Sequence, residues 1–359
     1  MKKVELLAPA GNIDALIGAI NAGANAVYIG GKRFGARANA DNFSLEQIKE
    51  AITFAHLRNA KVYVTINTII FEDELSSFFE YTDELIKFHV DALIVQDYGM
   101  LRQLIHRYPE TEIHVSTQMN TLNLHQVKFL EDLGVKRIIL ARETSIEKIQ
   151  EFRQETSIEF EIFAHGALCV SYSGNCYLSQ MNGSRSGNRG ECAQPCRLPY
   201  EMYKDETLFH KEAYLLSTKD LMTLPHLGEL IEAGVCSLKI EGRMRSLEYT
   251  VETIKMYRKY IDEYYGGVAS SSVESDIYTL AKLFNRDFTK GYSLGEEPYK
   301  INYETRPNHQ GVLVGKVLSY HYGKTTILLT QSLSVGDGIR IVGKNDIGEQ
   351  VSKIVLNGE

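Results

Sequence analysis

Short runs of β-branched and other apolar residues alternate with amphipathic stretches through the first 165 residues. Strands are predicted at Val4–Ala8, Ala26–Gly30, Val62–Ile66, Ala92–Val95, Glu112–Ser116, Arg137–Ala141 and Glu159–Ala164, where apolar runs are short and nearly continuous. Between them, apolar positions recur with a period of about 3.6, predicting helices over Ile13–Ala22, Leu45–Leu57, Glu74–Phe88, Met100–His106, Leu124–Leu133 and Ile146–Glu155. Asn12, Ser44 with Gln47, and Ser145 with Lys148 stand where N-caps belong, and Gly23 and Gly134 where helices should stop. An eighth strand, Cys236–Ile240, comes much later and precedes a helix from Leu247 to about Tyr264. Eight strand–helix units predict a closed (β/α)8 barrel, a TIM-like α/β fold. Ala10-Gly11-Asn12 after the first strand is no dinucleotide fingerprint, which argues against an open doubly wound sheet.

The barrel is expected to span 1–266, interrupted after strand seven by an insertion at 166–234. The insertion leaves the C-terminal end of a strand, the face on which such barrels place their chemistry. Gly266–Ser272 reads as a linker, and 267–308 as a helical or loop connector. From 309 to 359, short alternating runs (Val312, Val314, Val317; Ile327–Leu329; Gly336–Val342) predict a small β-barrel-like domain. The chain stops directly after Ile354-Val355-Leu356, and a closed β-domain would want more strands, so this domain is expected to be incomplete.

Four of the five cysteines fall in the insertion, Cys169, Cys176, Cys192 and Cys196, spaced C-x6-C-x15-C-x3-C in a polar, glycine-rich segment. Four thiolates in one loop suit a soft metal centre, either an iron–sulfur cluster or a structural zinc. No apolar run approaches a membrane span, and the N-terminus reads as a strand rather than a signal peptide, so a cytoplasmic protein without membrane association is expected. A reducing compartment favours metal over disulfides. The net charge of −7 gives whole-chain electrostatics no role in nucleic-acid binding. Arg185, Arg189 and Arg197 form the local basic patch to consider.

Strand ends deliver a polar set to the barrel mouth. Arg142, Lys239 and Arg243 suit a small carboxylate ligand, unless Glu143 and Glu241 neutralise them in a structural network. His165 is a candidate general base, donor or ligand, or else a satisfied buried histidine. The catalytic candidates are His165, Lys239, Glu241 and Arg243; Asn67, Gln96, Gln118 and Arg142 are candidates for holding a co-substrate or a base edge. Cys236 reads as an ordinary buried thiol, the alternative being a ligand that exchanges with one of the other four.

The segments Ala164-His165-Gly166-Ala167-Leu168-Cys169 through Cys176, and Asn188-Arg189-Gly190-Glu191-Cys192-Ala193-Gln194-Pro195-Cys196-Arg197, closely resemble the U32 peptidase, or collagenase-like, family. Three further segments carry the likeness: Glu5–Gly11, Ser237–Met244 and Phe284–Tyr292. The chain is most similar to the branch that hydroxylates tRNA wobble uridine with prephenate; relatives hydroxylate a ribosomal RNA cytidine or act in ubiquinone hydroxylation. The resemblance implies a [4Fe–4S] cluster (alternatively zinc) on the four matching cysteines, prephenate as co-substrate, the tRNA anticodon region as partner, and a paralogous U32 protein as a further partner. The family's peptidase label implies a competing hydrolase, yet neither H-E-x-x-H nor G-x-S-x-G occurs.

Overall fold

The computed structural model describes residues 3–38, 40–268, 272–343 and 346–356. Strands β1 (Glu5–Pro9), β2 (Ala26–Gly30), β3 (Lys61–Ile66), β4 (Ala92–Val95), β5 (Glu112–Val115), β6 (Arg137–Ile139) and β7 (Glu159–Ala167) pair in chain order, all parallel. A hairpin of β8 (Tyr200–Lys204) and β9 (Thr207–Ala213), then β10 (Asp220–Met222), precede β11 (Ser237–Ile240). β11 is parallel to both β7 and β1 and closes an eight-stranded barrel, as the repeat predicts.

Helices α1 (Ile13–Asn21), α2 (Leu45–His56), α3 (Leu75–Lys87), α4 (Tyr98–Arg107), α5 (Leu124–Asp132) and α6 (Ile146–Glu155) link the strands. α7 (Leu178–Gly183) belongs to the insertion, while α8 (Leu227–Glu232), α9 (Leu247–Gly266) and α10 (Val273–Leu283) follow it. The caps form as read: Asn12 accepts from Ala15 N at 2.9 Å, and Ser44 with Gln47 closes a capping box. Ser145 caps α6 through Lys148 N without help from an acid.

Alternation along the strands sorts the core into two shells. Leu6, Ala8, Val27 and Ile29 face the helices, whereas Leu7, Tyr28, Tyr63 and Ile94 fill the barrel interior. At the mouth, β10 adds antiparallel to the tip of β7, and β12 (Phe288–Thr289) adds to β10. Buried Arg286 secures this extension by gripping both oxygens of buried Asp220.

The chain divides into two compact units, Met1–Gln310 and Gly311–Glu359. The stretch read as a connector contributes α10 and β12 to the first unit; residues 269–271 of the expected linker lie outside the described residues. In the second unit, β13 (Gly315–His321) pairs with β14 (Lys324–Leu329), and β15 (Gly338–Ile341) with β16 (Ile347–Gln350), both antiparallel. Among the described residues no helix is long and apolar enough to cross a membrane.

Candidate functional site at the barrel mouth

The insertion leaves β7 and is fastened to loops at the C-terminal ends of the strands. Ser173 donates from N and Oγ to Glu143 at 3.0 and 2.6 Å, and its Oγ accepts from Arg142 N. Arg189 pairs with Glu74 at 2.6 Å and lies over the Phe71 ring. Gly190 O accepts from Ala38 N in the β2–α2 loop; its φ of 93° and a Cβ position only 2.8 Å from Gly35 O leave room for glycine alone. Arg197 donates to Ser217 Oγ and Thr218 O at 2.7 and 2.6 Å.

These anchors revise two readings. Glu143 holds the insertion, not an arginine of the mouth. Arg189 and Arg197 are likewise committed to anchoring, which leaves only Arg185 exposed from the basic patch.

All four insertion cysteines carry free thiols. Burial pushes the Cys196 thiol up; Arg197 opposes this, and Cys169, Cys192 and Cys176 each add to it, so all three lie within electrostatic reach of Cys196. Cys192 Sγ accepts from Gln194 N at 3.4 Å. Among the described residues, no three His, Cys, Asp or Glu side chains already form a cage for a single metal ion. Cys236 stands at the N-terminal end of β11, donating to Phe160 O at 3.0 Å, and burial pushes its thiol up to about 12. That is the opposite end of the barrel from the insertion, so exchange with the other four thiols is ruled out.

Glu241 lies just past β11 among cations. Burial alone would raise its pKa, but Arg37, Arg142, Arg243 and Lys239 together hold it below the usual carboxylate range. Arg37 Nη2 is 3.5 Å from Glu241 Oε1 and also feels the charges of Cys192 and Cys169, linking the mouth to the thiol loop. Arg37 was missed in the sequence because it lies inside the β2–α2 loop, seven residues past the strand end at Gly30. Arg243 is 7% exposed, and its guanidinium fills the space a Cβ on Gly30 would need. Arg142 stacks over Phe163, 4.3 Å to the centroid, with its buried Nε unpartnered.

Lys239 points elsewhere. Its Nζ lies 3.0 Å from Glu161 and 4.4 Å from the Tyr28 ring centroid. Glu161, fully buried, also accepts from Arg137 at 3.1 Å, and Arg137 pairs with Glu5 and Glu159. The partner of Lys239 is thus an inward glutamate of β7 rather than Glu143 or Glu241.

His165 is also apart from the mouth polar groups. Lys239 is opposite Phe163 while Ile240 is opposite His165, so Ala164 bulges and the alternation flips. The ring packs against Tyr249, Tyr257 and Phe288. Burial lowers its pKa to about 4, which keeps it neutral.

Asn67 and Gln118 do meet: Asn67 Nδ2 donates to Gln118 Oε1 at 2.8 Å, and Asn67 Oδ1 accepts from Ala36 N at 3.1 Å. Gln96 is buried, with Oε1 unpartnered. The mouth therefore combines three guanidiniums against one carboxylate, a set of amides, and a roof bearing four thiols.

The family model for peptidase family U32 matches residues 11–302. The chain belongs to this family. It is 39% identical to the 23S rRNA 5-hydroxycytidine C2501 synthase of Escherichia coli (strain K12), covering 99% of this chain and 55% of that protein. This chain spans about half the length of that relative. It is 37% identical to tRNA hydroxylation protein P1 of Bacillus subtilis (strain 168), over 95% of this chain and 84% of that one. A protein named collagenase from Porphyromonas gingivalis (strain ATCC BAA-308 / W83) is 30% identical over 94% of this chain and 86% of its own length. The relatives of this chain are thus named for hydroxylation and for proteolysis.

Proposed function

We propose that this U32 protein hydroxylates RNA, converting tRNA wobble uridine to its 5-hydroxy form with prephenate as co-substrate beside an iron–sulfur centre. The observation that carries this reading is the cluster of Arg37, Arg142 and Arg243 around Glu241, next to a loop with four thiols. Relatives named for tRNA hydroxylation and for hydroxycytidine synthesis supply the reaction class.

Guanidinium forks match carboxylates bidentately, and prephenate carries two. Buried, unpartnered Arg142 Nε is a donor that such a ligand would satisfy. Cys169, Cys176, Cys192 and Cys196 would hold the metal. Four sulfurs suit soft metals, an iron–sulfur cluster or zinc, and a centre at the barrel mouth suits the electron chemistry of [4Fe–4S] better than a structural zinc. When bound, such a cluster supplies one-electron chemistry that side chains lack.

In this reading, Arg37 and Arg243 orient the carboxylates, and the thiol loop covers the site against water. An anticodon arm would dock by local contacts; within the second unit, exposed Tyr320 and Tyr322 of the β13–β14 hairpin are surfaces on which bases could stack. The peptidase alternative asks for a histidine beside a thiolate, whereas His165 faces tyrosines and Phe288. Nucleoside mass spectrometry of tRNA from a deletion strain tests the proposal. Loss of 5-hydroxyuridine derivatives is expected; an unchanged profile, with gelatin hydrolysis by the pure protein, would favour the peptidase.

A further inference from the structure

The amides at the mouth have a fixed polarity. Ala36 N is a backbone donor and cannot reverse, so the Asn67 atom that meets it at 3.1 Å must be the oxygen. That forces Asn67 Nδ2 toward Gln118, and the Gln118 atom receiving it at 2.8 Å must in turn be Oε1. The ambiguity that usually attends glutamine orientation is removed by this chain of donors and acceptors. Gln118 Nε2 is left over, with no hydrogen bond among the described residues. It is not among the buried orphan atoms, so a ligand can reach it.

Position makes this donor relevant. Gln118 sits in the turn Thr117–Met119 directly after β5, and a Cβ on Gly174 of the insertion would be 3.9 Å from its Cγ. It therefore lies against the thiol-bearing segment. Uracil offers an acceptor for this donor at O4, where cytosine carries an amino donor.

We propose that Ala36 and Asn67 lock Gln118 as an obligate donor to an acceptor oxygen of the substrate, O4 where that substrate is the uracil base. This rests on the hydroxylase reading above. The other source of such an oxygen is the carboxylate co-substrate.

Asn67→Asp is the decisive variant because it leaves Gln118 untouched. A carboxylate at 67 still accepts from Ala36 N but has no proton to give, so Gln118 turns over, donates Nε2 to it, and shows the mouth an acceptor. Gln118→Glu places an acceptor there directly. Binding to the full protein is measured for two probes, an anticodon stem–loop carrying the target uridine and free prephenate. A matching stem–loop with pyrimidin-2-one in place of the uracil lacks O4. Both variants are expected to unfold at the wild-type denaturant midpoint but lose about tenfold or more in affinity for one probe, the equivalent of one hydrogen bond. A loss on the uridine RNA that vanishes on the O4-less RNA assigns the oxygen to the base; a loss on prephenate assigns it to the co-substrate. Wild-type affinity of both variants for both probes overturns the lock. Failure of the wild-type protein itself to bind either probe would instead defeat the hydroxylase reading.

Discussion

Glu161→Gln removes the one buried carboxylate that joins Lys239 to Arg137. In the native barrel Glu161 is 0% exposed and accepts from Lys239 at 3.0 Å and Arg137 at 3.1 Å. Arg137 retains Glu5 and Glu159, but Lys239 keeps only a neutral amide oxygen and the Tyr28 ring. Stranding one member of a buried pair costs about 3–5 kcal/mol, and the retained acceptor places Gln near the lower end, about 3 kcal/mol. With a urea slope of about 1–3 kcal/mol/M, the midpoint should fall by about 1 M or more. Tyrosine fluorescence with far-ultraviolet dichroism is the assay, since the chain has 21 Tyr and no Trp. Burial pushes the Glu161 carboxyl up, but Lys239 and Arg137 outweigh it and leave its pKa below the usual range. Its stabilisation is therefore complete above the unfolded value of about 4.3 and is lost as pH falls through the lower folded value. The gap between wild type and variant should close in that acid window. An unchanged midpoint, or a gap indifferent to acid, refutes the buried network as a source of stability.

His165→Phe should flatten the pH dependence of stability between about 6.5 and 4, because the buried ring stays neutral when folded while its unfolded counterpart charges below about 6.5; urea midpoints across that range check it. Cys192→Ser should lower bound iron after anaerobic purification, whereas Cys236→Ser, at the far end of the barrel, should leave iron content at the wild-type level by elemental analysis. Arg243→Lys should weaken prephenate binding about tenfold by calorimetry, since an ammonium cannot reproduce the guanidinium fork.

The barrel was legible because each strand's apolar run and each helix's cap agreed with the same repeat. Glu5, Arg137, Glu161 and Lys239 were harder to interpret: each is a lone charge at an inward position of an apolar strand, and nothing local says which other strand supplies its partner. The period-two spacing of Glu159 and Glu161 was the available clue. His165 was misplaced from the mouth set because a bulge at Ala164 reverses the alternation, and bulges leave no mark in an apolar–polar pattern. Arg37 escaped notice since only folding brings its loop against the insertion through Ala38 and Gly190. Asn67 and Gln118 were visible as strand-end amides, but their relative polarity depends on a backbone N–H from a third segment.

The most direct measurement is 5-hydroxyuridine in total tRNA of a deletion strain carrying either the wild-type gene or its Cys192→Ser form. Recovery of the modified nucleoside with the first and not the second is expected. Equal recovery from both, or none from either, contradicts a thiol-dependent RNA hydroxylase.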